Sequence, residues 1–148
     1  MTSVGPVICA VDDSDGARAA LKVALDLAAR FGVNLVLVHA EPSTVVPGVS
    51  AALGGQERLR TMAIEDAEKL LAWLAQEEKL DAVDLRAAVG SASDIVVEAA
   101  RDLEAVFVVI GSHGRRGLRS AVLGSVSLAV VTSAPCPVVI VPPAARSG

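Results

Sequence analysis

The residues best suited to binding chemistry lie in one glycine-rich segment, GSHGRRGLRSAVLGS, at 111–125. Gly111 and Gly114 carry no side chains, so a ligand could approach their backbone closely. Gly124 and Ser125 begin a stretch that is predicted to form a helix, and the free N–H groups at a helix start favour an anion. The segment therefore predicts a phosphate site. The alternative is a solvated loop in which the glycines only turn the chain.

The distribution of charge favours the phosphate interpretation. The arginines of this segment contribute +3, so the remainder of a chain of net charge −4 carries −7 (−4 minus +3). A cationic cluster beside glycines and a helix start is what a phosphate cradle requires. The three residues are Arg115, Arg116 and Arg119.

A second polar cluster, Asp12-Asp13-Ser14, follows the first apolar run of the chain. Carboxylates at this place would repel a phosphate unless a divalent cation came between them. The turn is acidic where a dinucleotide-binding fold has G-x-G-x-x-G, which excludes the usual form of that fold. The chain also lacks G-x-x-x-x-G-K-[ST], so the P-loop mechanism is excluded.

Composition limits the class of protein. With 148 residues, 53% of them hydrophobic and 20% charged, the chain is expected to form a single domain over 1–148 with a substantial core. An acidic sum and 2% aromatic residues argue against a nucleic-acid surface. Cys9 and Cys136 have no metal-ligand spacing, and a reducing, cytoplasmic location is expected.

A membrane span and an export signal are both excluded by local sequence. Residues 120–145 carry no charge, but four prolines break the second half of that stretch, so no spanning helix is expected. The first residues, MTSVGPVICAVDDSDG, lack the basic start of an export signal.

Five apolar runs alternate with four helical patterns along the chain. Long strand–helix–strand passages predict a parallel, doubly wound α/β sheet with helices on both faces. Ser14 and Gly32 are expected to cap the first helix, and Met62 is placed on the buried face of the second. The segment from Glu41 to Gln56, which is uncharged after Glu41, is predicted to be a long loop that covers a ligand. The predicted strands are 6–11, 35–39, 84–89, 105–110 and 137–141, and the predicted helices are 15–31, 57–79, 92–103 and 125–132.

The order of the motifs resembles the universal stress protein family. Gly111-x-x-Gly114, nine further residues and then Gly124-Ser125 resembles the family's nucleotide-binding signature. VDDS after the first strand, VHAEP after the second and PVVIV at the C-terminal end are similar to the family in the same order, so the resemblance covers essentially the whole chain. Asp13 departs from it, because the family often has glycine or another residue there, and it adds a second carboxylate next to Asp12.

The resemblance implies a sheet ordered 3-2-1-4-5 and, in the ATP-binding branch, a site for ATP with Mg²⁺. It implies that the backbone at Ala40 contacts adenine and that Asp12 faces ribose or the metal. Glycines would border ribose and phosphates, backbone N–H groups at a helix start would hold the phosphates, and a hydroxyl would assist. The residues carried over for these last roles are Gly111, Gly114, Gly124, Ser125, Val126 and Ser127.

Two further side chains are assigned from their positions. His113 could bind a phosphate or be an exposed loop imidazole, and Arg115 is assigned to the nucleotide with it. His39, at a predicted strand end, is interpreted as structural.

The apolar last strand, left bare at the edge of a sheet, favours pairing with a second copy, so a homodimer through Val138 to Val141 is expected. The resulting hypothesis is a nucleotide-dependent stress-response regulator, a binding protein with at most slow ATP hydrolysis because no catalytic constellation is evident. Binding of another adenine nucleotide such as cyclic AMP, or a nucleotide-free dimeric scaffold, remains an alternative. A phosphoacceptor receiver domain is disfavoured, since the third strand ends without an aspartate, at Val89-Gly90, and the last lysine is Lys79.

Overall fold

Five parallel strands form one sheet in the order β3-β2-β1-β4-β5, with four helices between them. This computed structural model describes residues 4–12, 14–43, 54–81, 83–113 and 123–143. The predicted doubly wound α/β fold and its strand order are confirmed. The elements are β1 Val7–Ala10, α1 Asp15–Phe31, β2 Leu35–Glu41, α2 Gly55–Glu77, β3 Asp84–Val89, α3 Ala92–Asp102, β4 Phe107–Gly111, α4 Ser125–Ser133 and β5 Val138–Val141.

Apolar side chains cover both faces of the sheet. On one face, Leu21 of α1 and Leu71 of α2 pack in one cluster with alternate residues of the strands. On the other face, Val96 of α3 and Val130 of α4 pack with the intervening strand residues. Strands that are apolar on both faces require this arrangement, because water can reach neither side. Cys9 is fully buried in the first cluster, and its burial raises the pKa of the thiol to about 12.

The first helix has the ends that its sequence predicts. The Ser14 side chain accepts a hydrogen bond from the Ala17 N–H at 3.2 Å. Gly32 ends the helix in the left-handed conformation, with φ 65°. On the outside of the helix, the Arg18 guanidinium lies 5.0 Å from the centre of the Trp73 ring, so α1 and α2 are joined by a cation–π contact.

β2 is longer than its apolar run because its partner strand continues. The register pairs Ala40 with Ala88 and Glu41 with Val89. The Gly90 N–H then donates to the Glu41 carbonyl at 2.9 Å. α2 begins at Gly55, earlier than predicted. The predicted loop therefore loses residues at both ends, and its central part, 44–53, lies outside the described residues.

The prediction that Met62 is buried is wrong, since it is 59% exposed. The residues of α2 that are fully covered by the sheet are Ala67, Leu71 and Leu74, all in the second half of the helix. Met62 fits the same helical spacing, but it lies in the first half of α2, where no residue is fully covered.

Within the part of the chain that the structure describes, no helix combines the length and the apolar character needed to cross a membrane.

Truncation of two α2 residues should separate buried from exposed apolar positions. Leu71→Ala should lower the free energy of unfolding by about 2–5 kcal/mol, because it removes a fully buried side chain and leaves a cavity. Met62→Ala on the same helix is the matched control and should change it by less than about 0.5 kcal/mol. Urea unfolding followed by circular dichroism measures both. Equal losses in the two variants would contradict this assignment of the helix faces.

Candidate functional site

The carboxyl ends of β1 and β4 are neighbours in the sheet, but the helices that follow them lie on opposite faces. β1 leads into α1, which packs on the face of the first cluster, and β4 leads toward α4, which packs on the other face. A crevice opens where the connections diverge in this way, and open α/β sheets bind ligands there. Asp12 follows β1 and Gly111 ends β4, so both lie at this point.

Three backbone segments approach one another at the crevice without side chains between them. A Cβ atom on Gly111 would lie 3.1 Å from the Gly16 carbonyl oxygen, and one on Gly16 would lie 2.9 Å from the His113 carbonyl oxygen. A Cβ atom on Gly124 would lie 3.1 Å from the Ser112 carbonyl oxygen. A side chain at any of these three positions would therefore require the facing backbone to move, by a few tenths of an ångström at Gly111 and Gly124.

Gly16 was missed by the sequence reasoning, although a signal for it exists. It lies in the first turn of α1, where glycine is a poor helix former. A glycine at such a place indicates close packing of another segment.

Hydrogen bonds to one carbonyl group attach α4 to the end of β4. The Ser112 carbonyl accepts from the Gly124 N–H at 2.8 Å and from the Ser127 hydroxyl at 3.0 Å. The Ser127 hydroxyl is also 3.0 Å from the Gly124 carbonyl, and the residue is 2% exposed. Its proton is thus used within the protein, so its observed contacts serve to hold the start of α4.

The first turn of α4 is electropositive and open. Its N-cap, Gly124, makes no side-chain capping bond, and the turn holds no acidic residue. Ser125 and Val126, the first two residues of the helix, are exposed. The first N–H groups of a helix have no acceptor within the helix, and the helix dipole adds positive potential there.

The other helices differ from α4 in this respect. α1, α2 and α3 carry Asp15, Glu57 and Asp94 in their first turns. Ser14 and Ser91 also cap α1 and α3 with their side chains. Among the four helices described, α4 alone combines an uncapped start with a first turn free of carboxylates, which leaves it available to an external anion.

Asp12 is oriented by the backbone that follows it. Its Oδ1 atom accepts from the Ser14 N–H at 2.8 Å, and the side chain is half-buried. Within the described ranges, no group of three side chains is arranged to hold a metal ion.

The remaining predicted residues are placed as follows. The Nδ1 atom of half-buried His113 lies 3.1 Å from the Ser112 hydroxyl. Ala40 is half-buried on β2, which pairs with β1, the strand that Asp12 follows. Gly114 and Arg115 lie outside the described residues, as do Asp13 and the other two arginines of the segment.

His39 is buried and contacts neighbours through both ring nitrogens. Nδ1 lies 2.6 Å from the Val11 carbonyl oxygen and Nε2 lies 2.8 Å from Glu41 Oε1. The interpretation of His39 as structural agrees with these contacts, but neither partner was predicted.

A separate open groove of about 490 Å³ runs along β3 and contains none of the predicted site residues. Its charged lining consists of three carboxylates and one guanidinium, from Glu68, Glu98, Asp102 and Arg86. Because this balance is negative, the groove would repel a polyanion, and the crevice at β1 and β4 is the better candidate.

Comparison with known proteins gives consistent results. The model of the universal stress protein family matches residues 4–142. A universal stress protein of Mycobacterium tuberculosis is 38% identical over 140 residues, which is 91% of this chain and 44% of that protein. The chain thus spans less than half the length of that relative. A universal stress protein of Thermus aquaticus is 34% identical over 136 residues, 91% of this chain and 96% of the relative.

A solved structure agrees in fold as well. The universal stress protein of Archaeoglobus fulgidus in complex with dAMP is 25% identical, with a TM-score of 0.65. The match covers 95% of this chain and 99% of that one.

Two serines of α4 should differ sharply in their effect on stability. Ser127→Ala should lower the free energy of unfolding by about 1 kcal/mol, because it removes the buried hydroxyl that donates to the Ser112 carbonyl. Ser125→Ala, an exposed position in the same turn, should change it by less than about 0.5 kcal/mol. Thermal and urea unfolding of both variants provide the measurement. A neutral Ser127→Ala would mean that this hydroxyl does not hold the start of the helix.

Proposed function

This chain belongs to the universal stress protein family, and from that premise we propose that it binds ATP at the crevice between β1 and β4 and acts as a nucleotide-dependent regulator in a stress response. The observation that carries the proposal is the first turn of α4, which is uncapped, free of carboxylates and located at the crevice. That turn offers backbone donors and positive potential to a phosphate chain.

The phosphates are assigned to the backbone N–H groups of Gly124, Ser125 and Val126. The Gly124 N–H is already directed at the Ser112 carbonyl, so the open donors are those that follow it in the helix. Gly114 and Arg115, which come directly after His113 in the chain, are assigned to the same phosphates from the sequence motif.

The nucleoside is assigned to the ends of the neighbouring strands. Ala40 would meet adenine through its backbone, and Asp12 would meet ribose or a phosphate-bound Mg²⁺. The Archaeoglobus relative in complex with dAMP supports an adenine nucleotide for this fold and for a related sequence. Binding is proposed as the output, with at most slow hydrolysis of the bound nucleotide.

The choice between ATP and another adenine nucleotide is open to a direct test. Nucleotide released from the purified protein by denaturation can be identified by mass spectrometry, and the nucleotide-free protein can be titrated calorimetrically with ATP, AMP and cyclic AMP. Tighter binding of ATP would support the proposal, and tighter binding of cyclic AMP would mean that cyclic AMP is the ligand in place of ATP. Binding of none of the three would overturn the proposed function in favour of a nucleotide-free scaffold.

A second copy of the chain is the proposed partner, and the outer edge of β5 is the proposed contact. The Val108 N–H donates to the Pro137 carbonyl and the Ser112 N–H to the Val141 carbonyl, so the odd-numbered residues of β5 bond to β4. The N–H and carbonyl groups of Val138 and Ile140 therefore face away from β4. An apolar strand with such an edge is suited to pairing with its own copy.

α4, which packs against β5, also carries exposed apolar residues that would favour a covered surface. Leu128 and Val131 of α4 are 51% and 44% exposed.

A carboxylate placed in the first turn of α4 should separate stability from binding. Ser125→Glu should stabilise the helix by about 0.3–1 kcal/mol through the helix dipole. It should lower the affinity for ATP at least about tenfold, because a negative charge would face the phosphates. Ser125→Gln is the matched neutral control and should bind nearly as wild type. Calorimetric titration and thermal unfolding measure the two effects. Unchanged ATP affinity in Ser125→Glu would show that the phosphates do not bind at this turn.

The outward amide of Ile140 provides a test of the dimer. Ile140→Pro removes an N–H group that faces away from β4, so the sheet should remain intact while pairing with the second copy is lost. Ile140→Ala trims the side chain but keeps the amide, and it should remain dimeric. Sedimentation velocity at micromolar protein gives the oligomeric state. A monomeric wild-type protein, or a dimeric Ile140→Pro variant, would contradict the assignment.

A further inference from the structure

A buried bridge joins the ends of β1 and β2 and has no part in the proposed contacts with the nucleotide. His39 is 4% exposed, and its Nδ1 atom lies 2.6 Å from the Val11 carbonyl oxygen. Its Nε2 atom lies 2.8 Å from Oε1 of Glu41, whose side chain is 22% exposed.

The chemistry of the two partners determines how the protons are placed. A carbonyl oxygen can only accept, so Nδ1 carries a proton and donates it to Val11. The Nε2···Oε1 contact holds a second proton, which makes the pair an imidazolium with a carboxylate or a neutral ring with a carboxylic acid. Either form joins the two strand ends. A glutamine at 39 has a single nitrogen, so it cannot donate to Val11 and to a Glu41 carboxylate from two separate atoms as an imidazolium ring can.

The bridge ends on the chain neighbours of two proposed nucleoside contacts. Val11 directly precedes Asp12, and Glu41 directly follows Ala40. Backbone hydrogen bonds hold the same residues on their other sides. The Val11 N–H donates to the Val38 carbonyl at 2.9 Å, and the Glu41 carbonyl accepts from the Gly90 N–H at 2.9 Å.

The phosphate end of the crevice is held by different contacts. α4 is attached to β4 through the Ser112 carbonyl, and β4 lies on the opposite side of β1 from β2. The hydrogen bonds that fix the two ends of the proposed ligand therefore share no side chain.

We propose that His39 and Glu41 act together as a positioning pair that sets the separation of Asp12 and Ala40 and thereby the affinity for the nucleoside part of the ligand. This inference rests on the proposed function. It assigns the nucleoside and the phosphates to two independently supported halves of the site, so a change in the pair affects ligands that contain a nucleoside and leaves a bare phosphate chain unaffected.

Calorimetric titration of four variants with ATP and AMP, and with inorganic tripolyphosphate as a competitor of ATP, tests the pair. His39→Gln and Glu41→Ala should each lower the affinity for ATP and for AMP by about tenfold. The inhibition constant of tripolyphosphate should stay within about twofold of the wild-type value. Glu41→Gln should recover most of the affinity lost in Glu41→Ala, because its amide can donate to the unprotonated Nε2 of a neutral ring. Asp26→Ala, which breaks the exposed Asp26–Arg30 pair on α1, is the control and should bind as wild type.

The outcomes distinguish the inference from the proposed function. Failure of the wild-type protein to bind ATP or AMP overturns the proposed function and the pair's role with it. With a wild-type protein that binds, unchanged ATP affinity in both variants overturns the inference alone. So does an equal loss for tripolyphosphate, which would indicate general loosening of the fold, or the failure of tripolyphosphate to compete with ATP.

A measurement on the wild-type protein does not depend on whether the variants fold. The chain has two histidines, so the ¹⁵N resonances of the His39 ring can be assigned by comparing the wild-type spectrum with that of a variant that lacks one of them. Either His39→Gln or a substitution at 113 serves as the reference. Nδ1 should be protonated, and the His39 resonances should shift on addition of AMP and stay unchanged with tripolyphosphate. An unprotonated Nδ1, or no shift with AMP in a protein that binds it, would contradict the proposal.

Discussion

The close approach of three backbone segments at the carboxyl edge of the sheet is the constraint on which the candidate site depends. Gly16, Gly111 and Gly124 each stand where a side chain would lie about 3 Å from the carbonyl of another segment. Contacts at this distance leave no room for a methyl group unless one segment moves. The positions of α1, β4 and α4 are therefore coupled through these close approaches.

The polar groups near these glycines have different roles. The Ser112 carbonyl accepts two hydrogen bonds and so fixes the start of α4, while the N–H groups of the residues that follow Gly124 remain available to a ligand. Ser14 closes the start of α1 with its side chain and orients the Asp12 carboxylate with its own N–H. The start of α1 is thus capped by a side chain and acidic, whereas the start of α4 is uncapped and free of carboxylates. The two starts lie on opposite faces of the sheet, on either side of the crevice. A ligand with a phosphate chain at one end and a polar, uncharged body at the other fits this asymmetry.

The sequence predicted those structural features that depend on residues close together in the chain. The ends of α1 were predicted correctly because Ser14 and Gly32 act on their immediate neighbours, and β3 was predicted with its observed bounds. The fold followed from the alternation of strands and helices. Met62 was wrongly placed because helical spacing defines a face and does not reveal how far along the helix the sheet covers it.

The site was predictable in part for the same reason. Glycines and a helix start can be recognised from the sequence. Gly111 and Gly124 do lie close together in the fold, since a Cβ atom on either one would contact the backbone of His113. The contact from His39 to Val11 spans 28 residues, and only the register of β1 against β2 brings the two together. The contact of Gly16 with the residue at 113 is likewise a product of the strand order, which joins β1 to β4 although a hundred residues separate them.

The contact between Arg18 and Trp73 has a practical consequence. Trp73 is the sole tryptophan of the chain, and it is partly exposed. Its indole therefore dominates the near-ultraviolet emission of the whole protein, and a guanidinium from the first turn of α1 lies against its ring. Since that turn also carries Gly16, the molecule contains its own fluorophore next to the helix end that borders the crevice, and displacements there could be followed optically without attaching a dye.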